Sequence, residues 1–164
     1  MRPIILLVGK SGCGKNYIAE AFQLNALPSF TTRPKREKET AGVEHEFVSM
    51  ETWERLYSKQ KNVAAKTFFD GNWYWGTLEQ IANPIYDLYV IDPAGIRYFI
   101  ENFGNKISRK YNVVYVDASL FTRIKNMRKR KDPWNKIFKR LLNDRKEFKG
   151  FAEDKSIKKI IVKV

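Results

Sequence analysis

Short apolar runs alternate along this chain with longer stretches whose apolar positions recur every three or four residues. Residues 4–8, Ile-Ile-Leu-Leu-Val, form a continuous apolar run of the kind buried on both faces of a parallel sheet. Behind it, Tyr17, Ile18, Ala21, Phe22 and Leu24 fall at helical spacing and predict a helix over 15–23. Residues 28–49 are polar and read as irregular up to a short strand at Phe47-Val48. Ser49 then caps a helix to about residue 59, with Trp53, Leu56 and Tyr57 on one face. Residues 62–69 and 73–75 read as paired strands around the turn signal Asp70-Gly71-Asn72. Thr77 caps a short helix that stops before Asn83-Pro84. A strand over 86–91 ends at Asp92, and Pro93 opens a helix to about 102. A strand over 111–116 ends at Asp117. A basic helix over 119–131 is broken by Asp132-Pro133, a second basic helix covers 134–148, and 157–164 closes as a strand.

Strands alternating with helices at both ends predict a parallel sheet with helices on both faces, a three-layer α/β/α fold. Residues 28–76 form an antiparallel insert that such a sheet does not require. Ligands of these sheets bind at the carboxyl ends of the strands, where Gly9, Asp92 and Asp117 fall. With 164 residues, 43% of them apolar and 14% aromatic, the chain makes one domain with its own core. One cysteine, Cys13, excludes an internal disulfide framework and fits a reducing, cytoplasmic setting. The first apolar run is too short for a leader or a membrane span, so no membrane partner is expected.

Residues 9–16 carry the candidate chemistry: Gly9-Lys10-Ser11-Gly12-Cys13-Gly14-Lys15-Asn16. Strand, Gly-x4-Gly-Lys and helix together make a phosphate-binding P-loop, whose glycines let backbone N–H groups turn inward around a triphosphate. The dipole of the following helix points at the same anion, and Lys15 reaches its outer phosphates. Asn16 stands where Ser or Thr usually ligates Mg²⁺, so either its amide oxygen takes that role, directly or through water, or activity is weakened. Cys13 is either a thiol activated by Lys15 or a small loop residue. The net charge is +13, from 31 Lys and Arg against 18 Asp and Glu, which suits nucleotide phosphates in a cleft or a nucleic-acid backbone along a face.

A second constellation runs Thr31-Thr32-Arg33-Pro34-x-Arg36-x2-Glu39-x2-Gly42-x2-His45-x-Phe47-Val48-Ser49. Two arginines three apart make a fork suited to a phosphate. Here the chain resembles the guanylate kinase family, which carries a TTRxxRxxExxGxxYxFVS segment after its first helix. Residues 71–77, Gly-Asn-Trp-Tyr-Trp-Gly-Thr, are similar to the family's GNYYGT. Residues 91–96, Ile-Asp-Pro-Ala-Gly-Ile, are similar to its strand-end DxxG. Arg128-x-Arg130 with Arg140-Leu141 resembles its arginine-bearing lid. The substitutions and shortness look most like divergent bacteriophage-encoded members, which would place the protein in the host cytoplasm.

The resemblance implies a nucleoside monophosphate kinase with core 1–27 and 84–164, a monophosphate-binding insert 28–83 and a lid about 120–137. It implies ATP·Mg²⁺ on Gly9–Asn16, and an acceptor held by Ser29, Arg33, Arg36, His45, Trp75, Thr77 and Asp92. Lys15, Arg128, Arg130 and Arg140 would stabilise the transferring group. Asp92 either binds Mg²⁺ through water, contacts the acceptor or simply caps a helix. His45 either touches phosphate or is a partly buried loop residue. Strand alternation lets only one of the Trp73/Trp75 and Tyr74 sets line a cleft.

The chain also departs from the family. Residues 63–67, Val-Ala-Ala-Lys-Thr, lack its guanine-reading acid, one residue is inserted near Trp75, and Val90 replaces an Asp. Relaxed base choice is therefore expected, with a deoxynucleotide among the acceptors. The competing readings are a basic P-loop protein that binds or phosphorylates nucleic acid, and a catalytically impaired interaction module. Under the kinase reading, polymer binding is expected to be weak, non-specific and confined to low salt.

Overall fold

The buried run at the start of the chain becomes β1 (Ile4–Gly9), which lies between two parallel neighbours. The computed structural model describes residues 1–37, 39–43, 45–59, 61–69 and 71–164. Its main sheet is parallel throughout, in the order β6 (Leu88–Val90), β1, β7 (Tyr111–Asp117), β8 (Lys159–Lys163). Ile4, Leu6 and Val8 face a cluster built with Ile96 and Phe99 of α4 (Pro93–Phe103), Tyr115, Phe148 and Phe151. Leu7 faces the other way, onto Leu88, Val116, Cys13 and partly buried Ile18 and Ala19 of α1 (Lys15–Ala21). A strand with both faces covered has no polar side to show, which is why 4–8 carries no alternation. The three-layer α/β/α expectation holds.

A second sheet has the order β3 (His45–Phe47), β2 (Ser29–Thr31), β5 (Asn72–Thr77), β4 (Val63–Phe69). It corrects two expectations. Residues 28–49 are not wholly irregular, since they contain β2 and all of β3. The insert is mixed rather than antiparallel, because β2 and β3 run parallel while β5 pairs antiparallel with both β2 and β4. Behind the sheet, Trp53, Val63 and Trp75 form a separate core with Phe30, Val48, Tyr57 and Trp73.

Ser49 caps the next helix as expected, its Oγ accepting from the Thr52 N–H at 3.0 Å. The segment does not continue as one α-helix. α2 (Met50–Thr52) widens into a π-helical turn over Trp53–Tyr57, closed by Ser58 N–H to Trp53 O at 2.9 Å. The wider turn lays both Trp53 and Tyr57 against Trp75, at ring separations of 4.5 and 5.1 Å.

Three further helices complete the chain: α3 (Leu78–Ala82), α5 (Leu120–Lys129) and α6 (Trp134–Glu147). β6 is shorter than the predicted 86–91 because Asp87 pairs with Asn25 instead, its N–H on Asn25 O at 2.8 Å and its Oδ2 on Asn25 N–H at 3.0 Å. Arg109 is 2% exposed, and its guanidinium donates to the carbonyls of Arg2, Ile81, Asn83 and Tyr86. Asp70 of the predicted hairpin turn lies outside the described residues. Among the described residues no helix is long and apolar enough to cross a membrane.

Candidate functional site

A cleft of about 790 Å³ lies between the two sheets, and Gly9, Ser11, Lys15 and Asn16 line one end of it. The loop between β1 and α1 turns on two left-handed glycines, Gly12 at φ 77° and Gly14 at φ 96°. Gly12 is also a matter of space, since a Cβ there would stand 2.5 Å from Arg123 O. Lys15 Nζ donates to Gly9 O, and to Lys10 O at 3.3 Å, with Cys13 Sγ at 3.8 Å. Burial pushes the Lys15 ammonium below its ordinary range, while Cys13 and Asp144 oppose that shift. Cys13 itself is buried, 1% exposed.

Side chains of α5 and α6 that no sequence motif marks hold this loop from behind. Asp144 on α6 accepts from Ser11 N–H at 3.0 Å and from Ser11 Oγ at 3.2 Å. Arg123 on α5 bonds the same carboxylate and donates through Nε to Ser11 O at 3.0 Å. Asn126 donates to Gly12 O at 2.8 Å.

The opposite end of the cleft is lined by Ser29, Arg36, Glu39, His45 and Tyr74. The parallel register sets Ser29 beside His45, with Oγ and Nδ1 at 2.9 Å. Burial pulls the His45 imidazole below its usual value. Arg33 and Arg36 do not act as an open, symmetric fork. Arg33 is held by Glu39 at 2.7 Å, lies over the Phe47 ring at 5.5 Å and is absent from the cleft lining. The Arg36 side chain is 56% exposed, with its guanidinium 3.6 Å from Glu39. Glu39 also accepts from Arg36 N–H at 2.9 Å, and the Arg33 hydrogen bond does most to hold its carboxyl down to about 2.

The expectation that Trp75 lines the cleft is corrected. Trp75 is fully buried against Phe30, Trp53 and Tyr57, and its neighbour Tyr74 lines the cleft. Adjacent residues on β5 face opposite ways, so with Trp75 turned into the aromatic core Tyr74 takes the cleft-facing phase. Thr77 is 6% exposed and outside the cleft lining. Its Oγ1 caps α3, accepting from Gln80 N–H at 3.2 Å in a reciprocal capping box.

Asp92 does line the cleft. Its Oδ1 caps α4 through Gly95 N–H at 2.6 Å, and its Oδ2 accepts from Thr67 Oγ1 across to the second sheet. Arg128, Arg130 and Arg140 stand outside the lining, gathered at the turn between α5 and α6. Arg130 and Arg140 bond Asp132 Oδ2 at 3.0 and 3.2 Å. Arg128 bonds Asp132 O at 3.1 Å and lies 4.9 Å over Trp134. Glu147 lines the cleft beside Asp92 and Asp144, and burial first, then these two charges, raise its carboxyl above the ordinary range.

The arrangement thus sets an anion-ready loop with a buried ammonium opposite a second basic and hydroxyl-rich end. Two phosphate groups can be received facing each other.

No family model matches the chain. It is 27% identical over 161 residues to the guanylate kinase of Mycoplasmopsis pulmonis, covering 90% of this chain and 81% of that one. It is 33% identical over 119 residues to the guanylate kinase of Symbiobacterium thermophilum, covering 64% of this chain and 54% of the relative. The fold matches the crystal structure of guanylate kinase from Anaplasma phagocytophilum with a TM-score of 0.63 at 18% identity, over 99% of this chain and 76% of that one.

Proposed function

We propose, on the premise that the chain is guanylate-kinase-like in sequence and in fold, that it is an ATP-dependent nucleoside monophosphate kinase. One observation carries the reading: Lys15 of the phosphate loop and Arg36 of the insert line the same cleft from opposite ends. In this reading ATP lies on Gly9–Asn16. The acceptor phosphate meets Ser29, Arg36, His45 and Tyr74, while Arg33 keeps the segment shaped through Glu39. Lys15 follows the transferring group. An acceptor phosphate is already ionised, so no general base is needed.

Arg128, Arg130 and Arg140 are proposed as a lid that must leave Asp132 and turn into the cleft to reach the equatorial oxygens. The segment 28–83 would serve the acceptor, and 1–27 with 84–164 the donor.

The residues present fit a magnesium ion that travels with the nucleotide. Among the described residues no group of three or more His, Cys, Asp or Glu could cage a metal, and magnesium is commonly held by one or two protein oxygens with phosphate and water. Asn16 would supply one such oxygen, and Asp92 would act through water since Thr67 and Gly95 already engage it. When bound, the ion neutralises charge on the donor phosphates.

β4 lines the cleft with Ala65, Lys66, Thr67 and Phe69, none of them a carboxylate, so guanine is not singled out there. We therefore assign broad base acceptance, including a deoxynucleotide. A coupled ADP-release assay across all ribo- and deoxynucleoside monophosphates tests both parts. Turnover of none sinks the kinase reading, and strict guanine use sinks the base reading alone.

A further inference from the structure

We propose that Asp144 and Arg123 are positioning residues for the donor triphosphate, acting through the backbone of Ser11. The role rests on the kinase reading for what the loop holds. The geometry is independent of it. One carboxylate accepts both the N–H and the O–H of Ser11, and the arginine bonded to that carboxylate takes the Ser11 carbonyl. Every polar group of one loop residue is therefore fixed by a single ion pair. Asn126 holds the next carbonyl, Gly12 O, and the α5 backbone leaves no room for a side chain at Gly12.

Arg123 and Asp144 are 7% and 5% exposed, so their geometry is stiff and dry. A buried ion pair contributes little net stability compared with apolar side chains of the same size. What it adds here is orientation. With Ser11 and Gly12 pinned, the N–H groups that follow are set before the nucleotide arrives, and binding no longer has to order them. Asp144 also stands one helical turn from Arg140 on α6, so one rigid element carries the brace and a lid arginine together.

The test compares the intact protein with Asp144→Asn and with the double variant Arg123→Met/Asp144→Leu. ATP binding is measured by calorimetry, and KM for ATP and for the acceptor by steady-state kinetics. The double variant replaces the pair with apolar side chains of similar size, and a thermal melt checks its fold. Its ATP Kd and KM are expected to rise at least about tenfold, the worth of a lost charge-assisted bond, with the acceptor KM within about twofold. Asp144→Asn can still accept from Ser11 N–H and should recover most of the affinity. ATP affinity within about twofold of the parent in the folded double variant overturns the proposal, as does an equal rise in both KM values. Should the double variant not fold, unchanged ATP affinity in Arg123→Lys, which loses the fork that joins Asp144 to Ser11, overturns it instead. A parent chain that binds ATP yet turns over no free monophosphate removes the kinase reading and leaves the calorimetric comparison decisive.

Discussion

The two ends of the cleft are built on different principles. At the loop end, β1 is buried on both faces, two helices brace the turn, and polar groups are paired before any ligand is present. At the insert end, two three-residue strands, the loop between them and β5 carry the groups, an aromatic cluster supports them from behind, and the cleft-lining Arg36 is largely exposed. The loop end is pre-organised by desolvated polar contacts. The insert end is held in place by packing, and its cleft-lining Arg36 stays exposed beside Glu39, where a ligand can meet it. Damage should therefore show itself differently at the two ends: as lost chemistry at the first, and as lost structure or lost acceptor affinity at the second.

The sharpest way to break this comparison is Trp75→Ala. Removing a fully buried indole should cost about 3–5 kcal/mol in urea unfolding. If the ends are as separate as their cores, the loss should loosen 28–83 while ATP binding persists. Parallel loss of ATP binding and of insert protection in hydrogen exchange would show that the ends are one unit. Lys15→Ala comes next. It should lower kcat by roughly 10²–10³-fold, the cost of removing one preorganised donor, with the melting temperature little changed. A folded variant with near-parental turnover would end the assignment of this loop.

Arg36→Ala should raise the acceptor KM about tenfold or more and leave the ATP KM nearly alone, since one charge-assisted contact is lost at one end. Equal changes in both constants would contradict the division. The smallest effect concerns pH. Glu39 titrates lower in the folded protein, about 2, than in the unfolded chain, near 4.3. Its contribution is therefore complete above the unfolded value and is lost as pH falls from about 4.3 towards 2. Glu39→Gln should flatten that part of the stability profile, measured by melts across the acid range. An unchanged profile would mean that Glu39 does not tie the arginine segment together.

These differences also explain what could be read beforehand. The run at 4–8 and the Gly and Lys spacing behind it announce a strand and a phosphate loop, because double burial and tight turning each leave a local signature. Ser29–Thr31 has no such signature, since three residues are too few to show alternation. Alternation on β5 was legible, but its phase was not. The aromatic core behind β5, where Trp53 and Tyr57 cover Trp75, decides that Tyr74 rather than Trp75 meets the cleft. Arg123 and Asp144 lie in helices rich in charge, where a pair 21 residues apart looks like two more solvated side chains. Asp132 was read as a helix break, and nothing local tells that it gathers three arginines. Such pairings belong to the approach of two helices, which is a property of the tertiary fold.

The burial of Cys13 has a practical use. It is the one thiol in the chain, closed inside the phosphate loop beside Lys15. A thiol reagent can reach it only when the loop opens, so the labelling rate becomes a clock for that local opening, read at a native residue with no engineered site.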